Sequence, residues 1–258
     1  MVERRLRELD TKLQELSQRR QDADPKVLSS FQDRLITLWL YHDQALEGVA
    51  LSGDELQDAL SHKTFADRSQ DTLYQSIRDH KRAIDLVQEQ GQLAASHADR
   101  PGLVTIPLLK RLHELLTPED RAEGHPYRTD RLLHRLYHHA IVPATQIAPG
   151  LRKLCESVDE RHSPHHPVLR ATQAHFELMT LYPWPDQNGP VARLLMNLLL
   201  LRDGYPPAII RGVERQRYHE SLRAGSESLL ELVVDSLDAY CTVSSQFLDA
   251  QTAPKRSR

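Results

Sequence analysis

A polar loop after a proline-rich corner holds residue types that can bind an anion and a metal ion. Residues 186–189 read Asp-Gln-Asn-Gly, and Pro190 follows as the predicted first residue of a helix. Free backbone N–H groups at a helix N-terminus, beside a glycine and an asparagine side chain, can bind a negatively charged group. Asp186 offers a carboxylate to Mg²⁺, and Arg193 lies one helical turn further on, within reach of the same anion. The alternative is an ordinary connection in which Asp186 caps the helix.

Helices must position this loop, because apolar residues recur every three to four positions along almost the whole chain. The predicted helices cover residues 2–16, 25–45, a short stretch opened by the capping box at 52–55, 69–90, 106–116, 143–158, 167–181, 190–202, 214–222 and 226–247. The polar segment 91–102 is predicted to be an internal linker. Strand signals are limited to residues 129–142, which could form a small hairpin. The expected fold class is all-α.

Composition excludes several classes of protein. The 258 residues include 33 basic and 36 acidic side chains, and the net charge of −3 argues against nucleic-acid binding through bulk charge. The longest purely apolar run, 198–201, is far shorter than the ~18 residues of a membrane span, and the charged N-terminus does not resemble a secretory signal. Cys155 and Cys241 are too few and too far apart for a disulfide or zinc framework. We therefore expect a cytoplasmic protein that binds neither nucleic acid nor membranes.

Residues 182–193 resemble the signature loop of the Fic/Doc (Fido) family. The family consensus is H-P-F-x-D/E-G-N-G-R-x-x-R, and this chain reads Y-P-W-P-D-Q-N-G-P-V-A-R. The following residues, through 207, are similar to the family's usual continuation, and the resemblance extends over roughly 106–248. It implies a Fic-type helical domain.

The resemblance also implies an architecture for the whole chain. An N-terminal helical region would cover residues 1–100 and contain an inhibitory helix at about 42–48. A Fic core with a small β-hairpin flap at 129–142 would follow over 101–250, and residues 251–258 would be a disordered tail.

Fic proteins transfer a nucleoside monophosphate, usually AMP from ATP, to a hydroxyl side chain of a target protein. The resemblance implies that Asn188, Gly189 and Arg193 bind the phosphates of an ATP-like nucleotide, with Asp186 as the Mg²⁺ ligand. The position of the family's catalytic histidine is Tyr182 in this chain. A phenol has a pKa of about 10 and is a poor general base at neutral pH.

Two further loop positions depart from the family signature. The first glycine has become Gln187, which would cost on the order of 1 kcal/mol if the backbone there is left-handed. The first arginine has become Pro190, which removes a guanidinium and a backbone N–H from the anion site. Each such hydrogen bond is worth roughly 1.5–3 kcal/mol, so nucleotide binding should weaken by about two orders of magnitude or more. His175 is expected to be a packed or surface histidine rather than a substitute base.

A second match lies near the N-terminus. Residues 43–48 read D-Q-A-L-E-G and are similar to S/T-x-x-x-E-G/N, the inhibitory motif that precedes many Fic cores, with Asp43 in place of Ser or Thr. The resemblance implies that Glu47 pairs with Arg193 and blocks the place of a terminal phosphate. The alternative is a surface glutamate at a helix end, followed by Gly48 as the C′ residue.

Three functions remain open at this point. The first is a degenerate Fic protein that cannot carry out ordinary AMP transfer and acts as a regulatory or binding protein. The second is an active transferase with an altered donor or mechanism, moving a nucleotidyl or phosphoryl group to a protein or small molecule and autoinhibited by Glu47. The third is a module whose 129–142 hairpin docks a protein partner by strand pairing. A homodimer is compatible with each of them.

Overall fold

The computed structural model describes residues 2–61, 68–96, 102–117, 127–129, 139–158 and 164–252, and these residues form a bundle of ten α-helices. The helices are α1 (Val2–Gln21), α2 (Pro25–Leu46), α3 (Gly53–Leu60), α4 (Arg68–Ser96), α5 (Ile106–Leu116), α6 (Ile147–Val158), α7 (Pro167–Leu181), α8 (Asn188–Arg202), α9 (Arg215–Ala224) and α10 (Ser226–Thr252), with 3₁₀ turns at Ala144–Gln146 and Gly212–Glu214. The described residues contain no strand, so the all-α prediction is confirmed for them. Most of the predicted hairpin at 129–142 lies outside the described residues, and the described ends of that segment form no strand.

Local capping interactions explain where several helices begin. Asp24 accepts a hydrogen bond from the Lys26 N–H at 2.7 Å, just before the proline that opens α2. Ser52 and Glu55 form the reciprocal capping box predicted for α3. Thr105 accepts from the Leu108 N–H at the start of α5. The predicted N-termini of these helices therefore follow from side chains that satisfy the first free N–H groups.

Helix α8 forms the centre of the bundle. Its residues from Val191 to Leu200 are buried on every face, and all of them except Arg193 and Asn197 are apolar. Helices α7 and α4 pack along it, and the signature loop connects α7 to its N-terminus. Every helix within the described residues is too short or too polar to cross a membrane.

The predicted linker at 91–102 is wrong over its first half, because α4 continues to Ser96. Gly91 lies inside this helix, where an added Cβ would be 2.6 Å from the Leu201 Cβ on α8. The glycine allows the two helices to approach closely, and the packing outweighs its low helix propensity. Residues 97–101 lie outside the described part of the chain.

The N-terminal helices share the core of the rest of the chain. Leu9 of α1 is completely buried, and it belongs to the same hydrophobic cluster as the residues of α8 and α10. On the surface, Arg5 pairs with Asp235 at 2.5 Å and Lys12 pairs with Asp238 at 2.7 Å, which fixes α1 along α10.

Candidate functional site

The loop begins at Tyr182, which ends α7 in a left-handed conformation with φ 44°. Arg128 holds this corner: its guanidinium donates to the carbonyl oxygens of Tyr182 and Val142 at 2.6 Å and of Leu181 at 3.1 Å. These bonds satisfy carbonyl groups that have no partner within the helix. The side chain of Tyr182 then points into the protein and is only 6% exposed.

Helix α8 begins two residues earlier than predicted, at Asn188 rather than Pro190. Proline is accepted within a first helical turn, because the N–H that it lacks has no intrahelical partner there. Gln187 precedes the helix with φ 58°, so the substituted glycine position does have a left-handed backbone. A non-glycine residue in this conformation costs roughly 1–2 kcal/mol.

Asn188 uses its side chain to fix the loop. Its Oδ1 accepts from the Trp184 N–H at 3.0 Å, and its Nδ2 donates to the carbonyls of Trp184 at 2.8 Å and Asp186 at 3.2 Å. The residue is 1% exposed. The side-chain amide of Asn188 therefore stabilises the conformation of the loop.

Arg193 lies behind the loop, 2% exposed, between two carboxylates. Its Nε donates to the Asp43 Oδ1 at 2.6 Å, and its Nη2 donates to the Glu47 Oε1 at 2.9 Å. Burial alone would lower the pKa of the guanidinium, but the charges of Asp43 and Glu47 raise it. The third nitrogen, Nη1, is buried and finds no hydrogen-bond partner among the described residues.

Glu47 also lies against the N-terminus of α8. A Cβ added to Gly189, in the first turn of α8, would be 3.0 Å from the Glu47 Oε1 and 3.2 Å from the Arg193 Nη1. The positive end of the helix dipole and the guanidinium therefore both face this carboxylate. Glu47 itself keeps 43% of its side chain exposed.

Tyr182, which stands at the position of the histidine in the family consensus, is not a base at neutral pH. Burial raises the pKa of the Tyr182 phenol above its ordinary value, opposed by a hydrogen bond with the Asn188 side chain. The phenol is therefore protonated at neutral pH and cannot accept a proton. His175, on α7, is completely buried and lies 3.1 Å from the Tyr218 hydroxyl, as a packed histidine does.

Asp186 is the candidate Mg²⁺ ligand, and its side chain is 42% exposed. Its Oδ1 lies 3.5 Å from the Nε2 of His113, whose ring stacks on Trp184 with centroids 4.6 Å apart. Within the described ranges, no group of three or more potential ligands surrounds a common point. A single carboxylate fits Mg²⁺ only when phosphate and water oxygens supply the other ligands.

The contact between Asp43 and Arg193 is not predicted from the sequence. Asp43 is a mismatch to the inhibitory motif, whereas the structure places its carboxylate on Arg193. The available signal was the spacing: Asp43 and Glu47 are four positions apart, so a helix presents both carboxylates on one face. His80, which contacts Asp43 at 3.0 Å, had no signal of this kind.

Comparisons with known proteins agree with the loop and the helix behind it. The sequence model of the Fic/DOC family matches residues 103–200. The Protein adenylyltransferase Fic of Culex quinquefasciatus is 27% identical over 224 residues, covering 80% of this chain and 42% of that protein. That of Drosophila persimilis is 26% identical over 226 residues, covering 87% and 42%. The chain thus spans about two fifths of the length of these curated relatives.

Solved structures show the same fold. Fic-1 (residues 134–508) from C. elegans matches with a TM-score of 0.80 and 19% identity, covering 97% of this chain and 74% of that one. A Fic domain containing signaling protein from Bacteroides thetaiotaomicron matches with a TM-score of 0.75 and 18% identity, covering 97% and 100%. The segment that matches the Fic/DOC family model therefore contains the loop described above, and the chain has the fold of these Fic domains.

Proposed function

We propose that this chain is a degenerate Fic-domain protein that does not transfer AMP from ATP to a hydroxyl side chain and acts instead as a regulatory or binding protein. The observation that carries the proposal is the buried phenol of Tyr182 at the position of the catalytic base. Attack of a hydroxyl on a phosphate requires that its proton be accepted, and a general base contributes about 10²- to 10⁴-fold to such a step. Burial raises the pKa of Tyr182, so the phenol cannot supply this contribution.

The phosphate side of the site supports the same proposal. Pro190 supplies neither a guanidinium nor an N–H, and the Asn188 side chain is bound to the loop backbone. Arg193 already faces two carboxylates, so the group carries a net negative charge. An incoming phosphate would be repelled unless Glu47 moved away.

A second candidate, an active transferase with another donor, is favoured by what remains of the site. The Arg193 Nη1 has no hydrogen-bond partner among the described residues and lies close to Gly189. Glu47 is partly exposed and therefore displaceable, and Asp186 is accessible for Mg²⁺ together with a nucleotide. In this candidate Glu47 acts as the inhibitory residue.

The partner proposed for the binding function is a protein that docks at the 129–142 segment. The residue before it and its last residue lie beside the signature loop: the Arg128 N–H donates to the Pro183 carbonyl at 2.9 Å, and the Val142 N–H donates to the Thr180 carbonyl at 3.0 Å. A partner that contacts these two residues would lie next to the loop. We also propose that the protein is cytoplasmic and that it can form a homodimer.

The test is transfer of label from nucleotides labelled at the α-phosphate, with Mg²⁺ and a mixture of cell proteins. We expect no labelled protein from ATP, CTP, GTP or UTP with the wild type or Glu47→Ala. The matched control is Tyr182→His/Pro190→Arg/Glu47→Ala, which returns the missing base and supplies a second guanidinium for the phosphates, so it should restore labelling although Asp43 still pairs with Arg193. Labelling from ATP by Glu47→Ala contradicts the proposal, and labelling from another nucleotide alone supports the second candidate.

A further inference from the structure

Two carboxylates of the N-terminal region bind different edges of one guanidinium. Asp43 lies inside α2, is 4% exposed and accepts a hydrogen bond from the Nε of Arg193. Glu47 lies just after α2 and accepts a hydrogen bond from the Nη2. Because they use different nitrogen atoms, neither contact needs the other. Both are charge-assisted hydrogen bonds, and the contact to Asp43 is the shorter and the more buried.

The second oxygen of Asp43 belongs to a buried chain of hydrogen bonds. The His80 Nε2 lies 3.0 Å from Asp43 Oδ2, and the Gln44 Nε2 lies 3.2 Å from the His80 Nδ1. With the amide as donor to Nδ1, the imidazole carries its proton on Nε2 and donates it to Asp43, so each donor has an acceptor. The chain Gln44–His80–Asp43–Arg193 joins α2, α4 and α8, and all four residues are buried.

We infer that Asp43 is the anchor of Arg193 and that it neutralises the guanidinium independently of Glu47. Removal of Glu47 then leaves a complete buried ion pair rather than an available cation. Glu47 is the outer carboxylate, and its loss alone does not turn Arg193 into an anion site. This inference concerns the site of the proposed function but does not depend on whether the chain transfers AMP.

Thermal unfolding of single variants tests the anchor. Asp43→Asn leaves the buried guanidinium with only the partly exposed Glu47 as its counter-charge, so we expect it to lower the melting temperature by about 10 °C. Glu47→Ala should stay within about 2 °C of the wild type, as should the control Asp249→Asn, which breaks an exposed pair with Arg19. The inference is overturned if Asp43→Asn melts with the wild type or if Glu47→Ala costs as much as Asp43→Asn.

A double variant covers the case in which Asp43→Asn fails to fold. Asp43→Asn/Arg193→Gln also removes the buried guanidinium and should be more stable than Asp43→Asn alone, because the one charge of the three that remains, on Glu47, is partly exposed. A double variant that is no more stable than the single one overturns the inference.

Inorganic pyrophosphate then probes whether Arg193 is available to an anion. We expect millimolar pyrophosphate to leave the melting temperature of Glu47→Ala unchanged and to raise that of Asp43→Asn/Glu47→Ala by several degrees. An equal rise in both proteins overturns the inference. No rise in either, with Asp43→Asn strongly destabilised, supports the anchor and shows separately that the loop has lost its anion site.

Discussion

At the scale of single residues, His175 makes folding depend on pH. It is completely buried, and burial, aided by the charge of Arg193, lowers its pKa to about 3. The unfolded chain, with a histidine pKa near 6.5, takes up the proton first as the pH falls. The stabilising effect is therefore complete above pH 6.5 and is lost progressively towards pH 3. We expect the free energy of unfolding to fall by about 2 kcal/mol between pH 6.5 and pH 5 from this group alone.

Urea unfolding of the wild type and of His175→Gln at pH 7 and pH 5 measures this contribution. The variant should lose much less stability on acidification than the wild type. A smaller slope should remain, because burial also lowers the pKa values of His42 and His139. An identical pH dependence in the two proteins would show that His175 is protonated without unfolding.

The single residues of the site could be predicted to different degrees. Tyr182, Gln187 and Pro190 could be identified from the sequence, because each replaces a residue within a contiguous signature. The contact between Asp43 and Arg193 could not, because it joins residues 150 positions apart and its partners have no common local motif. Which carboxylate is buried depends on how α2 packs against α8, and this is a property of the folded chain.

At the scale of elements, the close contact between α4 and α8 depends on Gly91. A methyl group there would lie 2.6 Å from the Leu201 Cβ and 3.6 Å from the Leu198 carbonyl oxygen, so the helices would have to separate. We expect Gly91→Ala to lower the free energy of unfolding by about 2 kcal/mol, although alanine favours a helix by up to about 1 kcal/mol. Gly53→Ala in α3 is the control, because nothing lies within 4 Å of an added Cβ there. If urea unfolding shows Gly91→Ala to be as stable as the wild type, α4 and α8 do not pack as closely as in this structure.

Helix ends could be predicted where the signal is local and not where it depends on packing. The starts of α2, α3 and α5 follow from caps encoded within a few residues, so the sequence was sufficient. The end of α4 is not predicted correctly, because Gly91 marks a helix end in isolation but lies where two helices cross in the folded chain. The predicted start of α8 is two residues late, because proline is accepted at several positions of the first turn.

In the molecule as a whole, the N-terminal helices complete the hydrophobic core that surrounds α8. Trp39 and Leu40 of α2 and Ile77 of α4 are at most 1% exposed, and they belong to one hydrophobic cluster with the residues of α8. Without residues 1–100, the faces of α8 and α10 that these helices cover would be exposed to water. Each large side chain buried in such a contact contributes roughly 1.5–3 kcal/mol, while whole domains are stable by only about 5–15 kcal/mol.

We therefore expect residues 101–258 alone not to fold into a stable domain. The full chain should melt in a single cooperative transition monitored by circular dichroism, whereas the fragment should melt gradually and bind a hydrophobic dye. Addition of the separate 1–100 peptide should restore part of the cooperative transition, because it returns the missing apolar contacts. A fragment that melts cooperatively near the temperature of the full chain would instead show an independent core. Glu47 would then belong to a detachable segment, whereas a shared core makes it an inseparable part of the domain that contains Arg193.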